Sequence, residues 1–212
     1  MVNKKQRIIL YVITGIGLGF IILTIFVWLV PGSVIDWEFS QEVQETQNPF
    51  LDSFMIAVSL PGNMPYSVIT VLSVAAVFLV LRYKREALFI VLTMLSGLVS
   101  TLVKLLINRP RPSEPLVRVI SKNLQQSFPS GHVMFYVIFF GFITLLMYQL
   151  KSIPRFVRIL VAVISLVMIF LVSVSRIYLG AHWFTDVLGG FLLGIVCLYC
   201  LGYFYLKNKS IQ

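Results

Sequence analysis

Of the 212 residues, 58% are hydrophobic and 12% are charged, against roughly 25% charged in an ordinary soluble domain, and the mean hydropathy is +0.94. That composition excludes a soluble globule. Seventeen Lys and Arg against eight Asp and Glu give +9 at pH 7, but in so apolar a chain the charges are read by their place along it, and no nucleic-acid partner is expected.

The apolar runs are near the ~20 residues that cross ~30 Å of hydrocarbon as a helix. After Met1 to Arg7, which carries Lys4, Lys5 and Arg7, comes an unbroken apolar stretch from Ile8 to Val30. It is longer than the ~7–15-residue apolar region of a signal peptide and no A-x-A-like cleavage site follows, so it is read as a retained first helix. Pro31 to Asn48 is polar and holds Asp36, Glu38, Glu42 and Glu45; it is read as a solvated loop in preference to a lid. The second span runs from Pro49 to about Leu81, and Pro61, Gly62 and Pro65 are expected to break its first part. Arg82, Lys84 and Arg85 precede a third span from Ala87 to about Ile107, followed by a polar loop from Asn108 to about Pro129. The fourth span is His132 to Leu150, the fifth about Arg158 to Ser175, and the sixth about His182 to Leu206. The expected fold is an all-α, polytopic bundle of six transmembrane helices in one domain, residues 1–212.

Six crossings place both termini on one side. Eleven of the seventeen Lys and Arg then fall on that face, at the N-terminus, the loops after spans two and four, and the tail, and the positive-inside rule makes it cytoplasmic. The other six are Lys104, Arg109, Arg111, Arg118, Lys122 and Arg176. They gather at the opposite surface, where the rule expects few, and cations at membrane depth are functional by default.

Three segments converge on that surface. Lys104 lies about two helical turns before Arg111-Pro112; Pro129-Ser130-Gly131-His132 opens the fourth span; and Ser175-Arg176 is followed by His182 and Asp186. A helix N-terminus with free amides beside two groups of cations suits a phosphate. His182 and Asp186, four apart, would share one helical face, and a carboxylate bonded to one imidazole nitrogen leaves the other free to attack. The chain has two histidines, and both sit at the outer ends of spans. One attacking phosphorus and one protonating the departing alkoxide would make a phosphoesterase.

This pattern, Lys104 with Arg111-Pro112, then Ser130-Gly131-His132, then Ser175-Arg176 with His182 and Asp186, resembles the three-part signature of the type-2 phosphatidic acid phosphatase family. The size and absence of soluble insertions look most like its compact bacterial members, such as phosphatidylglycerophosphatase B and the undecaprenyl diphosphate phosphatases. The resemblance implies that Lys104, Arg111 and Arg176 hold the phosphoryl oxygens, completed by Ser130 and the Gly131 amide. It further implies that His182 forms a phosphohistidine, that Asp186 orients it and that His132 protonates the leaving oxygen. The substrate implied is a lipid phosphate at the outer leaflet of a bacterial plasma membrane, with phosphatidylglycerophosphate first and phosphatidic acid or undecaprenyl diphosphate also open. No metal or other cofactor is expected, since Asp186 and Glu114 are the only acids near these segments in sequence. A carrier or flippase that binds lipid phosphates without hydrolysis is the alternative, although its pathway would reach both faces. Vanadate-dependent halide oxidation shares the signature, but six spans favour a lipid substrate.

The remaining features have plain explanations. Cys197-x-x-Cys200 lies within an apolar span and is read as packing, and Gly15/Gly19 and Gly190/Gly194 as close helix contacts. Trp28 and Trp37 are read as interfacial anchors, and Trp183 as an anchor or a head-group contact.

Overall fold

The computed structural model describes residues 4–121 and 125–207; Lys122, Asn123 and Lys209 lie outside them. All regular structure among the described residues is helical: α1 (Lys4–Leu29), α2 (Val34–Val43), α3 (Pro49–Ser59), a 3₁₀ turn (Leu60–Gly62), α4 (Tyr66–Val80), α5 (Lys84–Leu92), α6 (Leu95–Ile107), α7 (Gly131–Gln149), α8 (Arg155–Tyr178) and α9 (Phe184–Lys207). Five stretches are long and apolar enough to cross a membrane, at residues 6–29, 84–107, 131–149, 155–178 and 184–207. The sixth expected span is a broken one: α3 and α4 meet at 63° around Leu60–Gly62 and Pro65. Prolines remove helical hydrogen bonds, and a bend at membrane depth survives where neighbouring protein covers it.

The bundle is organised around α7, which packs on α8 and α9 and also meets α5, α6 and the 3₁₀ turn. Its residues are apolar on every side, the pattern of a helix enclosed all round, and Val133, Met134, Tyr136, Phe142 and Leu146 are fully buried. The Gly190/Gly194 pair packs α9 against it: a Cβ at Gly190 would lie 2.5 Å from the Ser130 carbonyl, and one at Gly194 2.9 Å from Val137. Gly15 and Gly19 differ from the expectation. A Cβ at either would meet nothing within 4 Å, so neither glycine marks a close helix contact, although α1 packs on α9.

The acidic segment after α1 also departs from the sequence reading, which made it a solvated loop. Ser33 caps α2 by accepting from the Asp36 amide, as a serine N-cap does. Asp36 and Ser40 on α2, and Gln44 just after it, are buried. Their fourfold spacing makes a polar stripe that hydropathy assigns to solvent, yet it turns inward onto polar partners. Gln44 Nε2 donates to the carbonyls of Arg118 and Tyr178, both at 2.9 Å, and Phe39 stacks on Phe184 with centroids 4.1 Å apart. This docking carries Asp36 to the start of α9.

Candidate active site

Four helix ends meet at one end of the bundle: the last turn of α6 with Lys104, the start of α7 with Gly131 and His132, the last turn of α8 with Arg176, and the start of α9 with Asp186. The left-handed Asn108 (φ 49°, ψ 40°) stops α6, and the chain then turns Arg109 inward. Beside them the ends of α6 and α7, the loop after α6 and His182 line a cavity of about 720 Å³ whose polar lining includes Lys104, Arg111, Gly131, His132 and His182. Its apolar lining includes Met64, Tyr66, Val68 and Met94.

Of the expected site residues, Lys104, Arg111, Gly131, His132 and His182 line this cavity, and Ser130, Arg176 and Asp186 are buried at the same helix ends. Lys104, 5% exposed, donates to the carbonyls of Gln126 and Ser127 at 2.6 and 3.1 Å. Arg111 donates to the carbonyls of Gln125 and Ala181 and reaches within 3.4 Å of His182 Nε2. Arg176 donates to Ser59 Oγ at 3.0 Å, while Ser59 and Ser175 share a hydrogen bond of 2.7 Å. Lys104, Arg111 and Arg176 are near enough to repel one another. The Ser130 hydroxyl and Arg176 Nε, like Ser100 Oγ in the cavity lining, are buried without a hydrogen-bond partner among the described residues, as suits groups shaped for an anion. Of the other cations expected on this face, among the described residues Arg118 pairs with Asp52 at 2.7 Å and Arg109 pairs with Asp36 and Asp186.

His182 differs in place from the sequence reading. It precedes α9 rather than standing on it, so the His–Asp pair forms across the helix start, not along one face. Asp186 reaches back and accepts from the Trp183 amide at 2.9 Å, in the manner of a capping box. The same Oδ2 accepts from Ser127 Oγ and lies 3.5 Å from His182 Nδ1. Nδ1 thus faces the carboxylate and Nε2 faces Arg111 and the cavity. Burial foremost, then Arg111, Lys104 and Arg176, holds the His182 imidazole well below its ordinary pKa, and a proton on Nδ1, the nitrogen facing the carboxylate, leaves the Nε2 lone pair free.

His132 stands on the first turn of α7, with Nε2 2.8 Å from Asn63 Oδ1. The break between α3 and α4 brings Asn63 there, and the approach requires Gly62, where a Cβ would lie 2.4 Å from the His132 ring. Trp183 is 7% exposed, with Nε1 donating to the Pro110 carbonyl at 3.3 Å, so it braces the loop after α6 in place of anchoring in the head groups. Glu114 lines a smaller cavity of about 260 Å³ beyond Arg111.

Sequence reasoning left five polar residues out of the site: Asn63, Ser127, Thr185, Asp36 and Arg109, the last noted there only as one of six cations on that face. Arg109 NH2 lies 2.6 Å from Asp36 Oδ2 and its NH1 lies 2.5 Å from Asp186 Oδ1. Asp36 is therefore a third acid beside the two expected near the site. Arg109 had a visible signal in its place on the side poor in cations, and Asn63 in the Pro-Gly break within an apolar run.

The sequence pattern of the PAP2 superfamily matches residues 85–210, which hold all of Lys104, Arg111, Ser130, His132, Arg176, His182 and Asp186. The chain belongs to this superfamily. Phosphatidylglycerophosphatase B of Bacillus subtilis is 30% identical over 172 residues, covering 78% of this chain and 81% of that protein. Undecaprenyl-diphosphatase of Sulfolobus acidocaldarius is 29% identical over 182 residues, 82% of each. Among solved structures, the transmembrane PAP2-type phosphatidylglycerolphosphate phosphatase of Bacillus subtilis superposes with a TM-score of 0.78 at 24% identity, over 94% of this chain and 97% of that one. Aquifex aeolicus LpxE gives 0.63 at 22% identity, over 81% and 97%; at these identities the two structures establish the shared fold. This PAP2 protein is a multi-pass membrane enzyme, a lipid phosphatase.

Proposed function

We propose that this PAP2 enzyme hydrolyses the terminal phosphate of a membrane lipid phosphate at the extracytoplasmic leaflet, through a phosphohistidine and without a metal. One observation carries the reading: two histidines and two cations, Lys104 and Arg111, line a single cavity at one end of the bundle together with apolar side chains, and Arg176 is near enough to act on His182. Lys104, Arg111 and Arg176 neutralise the phosphoryl oxygens, aided by Ser130 and the Gly131 amide at the start of α7. The Nε2 lone pair of His182 forms a bond to phosphorus as the phosphorus–oxygen bond to the lipid breaks. That electron pair goes to the leaving oxygen, which takes a proton from His132. Water then attacks phosphorus, loses its proton to His132, and frees His182 and inorganic phosphate. Asp186 keeps His182 Nδ1 facing away from the phosphate. Metal-free charge neutralisation is supported by the donor set, since no group of three or more His, Cys, Asp or Glu stands together among the described residues.

Phosphatidylglycerophosphate is the favoured substrate, on the similarity to the Bacillus subtilis enzyme; phosphatidic acid and undecaprenyl diphosphate present the same terminal phosphoryl group on an apolar tail. Purified protein in detergent is expected to release phosphate from these lipids at a rate that EDTA changes by no more than about a factor of two, while vanadate, which mimics five-coordinate phosphorus, inhibits. No phosphate release from any of the three overturns the hydrolase reading. Loss with EDTA and recovery with magnesium overturns its metal-free form.

The outward orientation predicts a second result. A cysteine at exposed Ser113, in a background lacking Cys197 and Cys200, is expected to react with a membrane-impermeant thiol reagent on intact cells. Labelling only after permeabilisation inverts the topology. Asn123, the alternative position, lies outside the described residues.

A further inference from the structure

We infer that Asp36 and Arg109 are positioning residues of the reaction, acting with Asp186 as one buried charge chain that presents a net negative charge to the Nδ1 side of His182. The inference rests on the reading of His182 as the nucleophile.

Asp186 by itself has a defect as the partner of that nucleophile. Arg109 NH1 lies 2.5 Å from its Oδ1, and a guanidinium so placed in a dry site cancels most of the carboxylate's field. As Nε2 bonds to phosphorus the imidazole becomes cationic. A neutralised carboxylate does little for it. The surroundings make the need sharper, because the charged groups facing His182 are Arg111 from the loop after α6, Lys104 from α6 and Arg176 from α8, with His132 from α7 also near. Asp186 from α9 is the only acid against the ring among the described residues.

The second arm of Arg109 supplies the remedy. Its NH2 lies 2.6 Å from Asp36 Oδ2, so two carboxylates flank one guanidinium and a single negative charge remains. All three are sealed from water, with Asp36 1%, Arg109 2% and Asp186 0% exposed, so little screening separates them. The geometry is also fixed at each atom. Asp36 Oδ1 accepts from the Thr185 amide and hydroxyl at 2.8 and 2.9 Å, Oδ2 accepts from Ser33 at 2.7 Å, and Arg109 Nε donates to the Pro31 carbonyl at 3.0 Å. Thr185 Oγ1 accepts from Arg109 at 2.7 Å, and Thr185 is the residue before Asp186. A pair kept only for stability needs one carboxylate per guanidinium. This fork instead spans α2 and α9 and leaves Asp186 Oδ2 for the Trp183 amide, Ser127 and His182.

The test is rapid-quench phosphoenzyme formation on a lipid phosphate, with KM and thermal stability measured on each variant in detergent. Asp36→Asn keeps the shape and removes the charge, leaving the chain neutral; phosphorylation is expected to slow about tenfold or more with KM within about twofold, because the phosphate-binding cations are untouched. Asp36→Asn with Arg109→Gln restores the net charge at Asp186, which Ser127 and the Trp183 amide still orient, and is expected to phosphorylate faster than Asp36→Asn alone. A folded Asp36→Asn with the wild-type rate overturns the inference. So does a double variant no faster than the single. If the single variant does not fold, the double one decides: a rate within about tenfold of wild type supports the charge chain, and a loss as deep as that of Asp186→Asn overturns it. Failure to trap any phosphoenzyme in the wild-type protein would instead remove the reading of His182 beneath it.

Discussion

Replacing His182 with alanine is expected to lower kcat on the order of 10³-fold or more on every substrate, since a missing nucleophile leaves only binding and charge stabilisation to act. The geometry argues for so large a loss. His182 presents Nε2 toward Arg111 and the cavity and Nδ1 toward Asp186, and burial with three neighbouring cations keeps it neutral. His132, the other ring in the site, has Nε2 held 2.8 Å from Asn63 Oδ1. Asp186→Asn is expected to fall between wild type and His182→Ala, because it keeps the shape and loses charge support for the developing imidazolium. Inorganic phosphate release on a lipid phosphomonoester, with circular dichroism confirming the fold, measures both. A folded His182→Ala variant with more than a tenth of wild-type turnover would end the assignment.

Much of this arrangement was legible in the sequence, and the parts that were not share a physical cause. The spans announce themselves because hydrocarbon thickness fixes their length, and Lys104, Arg111, Arg176 and both histidines stand out because ionisable groups at membrane depth are costly. The His182–Asp186 spacing identified two residues that do meet, but through a different local structure: the carboxylate reaches back across a helix start, where four-residue spacing also brings groups together. Asp36 was invisible for a different reason. A polar stripe on a short helix reads as solvent-facing unless its partners are known, and those partners, Arg109 and Thr185, lie 73 and 149 residues away. Asn63 likewise depends on a bend that sequence places only roughly. Polar contacts between distant segments leave no periodicity for hydropathy to detect.

The second histidine is expected to fail in a way that depends on the leaving group. A general acid matters in proportion to how poorly the departing oxygen leaves unprotonated. On a lipid phosphomonoester, whose alkoxide leaves badly, His132→Ala is expected to lose on the order of 10³-fold in phosphoenzyme formation, much as His182→Ala does. With p-nitrophenyl phosphate, whose leaving group needs little protonation, His132→Ala is expected to recover a larger share of the wild-type rate, while His182→Ala recovers nothing. The placement of the two rings makes the contrast a fair one. His132 sits on the first turn of α7 beside the cavity, braced by Asn63, so its removal leaves the His182, Arg111 and Asp186 contacts intact. Rapid-quench assay of enzyme-bound phosphate on both substrates reads the difference directly. If folded His182→Ala forms phosphoenzyme at the wild-type rate and His132→Ala forms none on either substrate, the two roles are exchanged: the nucleophile is then the ring against Asn63, and the Asp36–Arg109–Asp186 chain serves the acid instead.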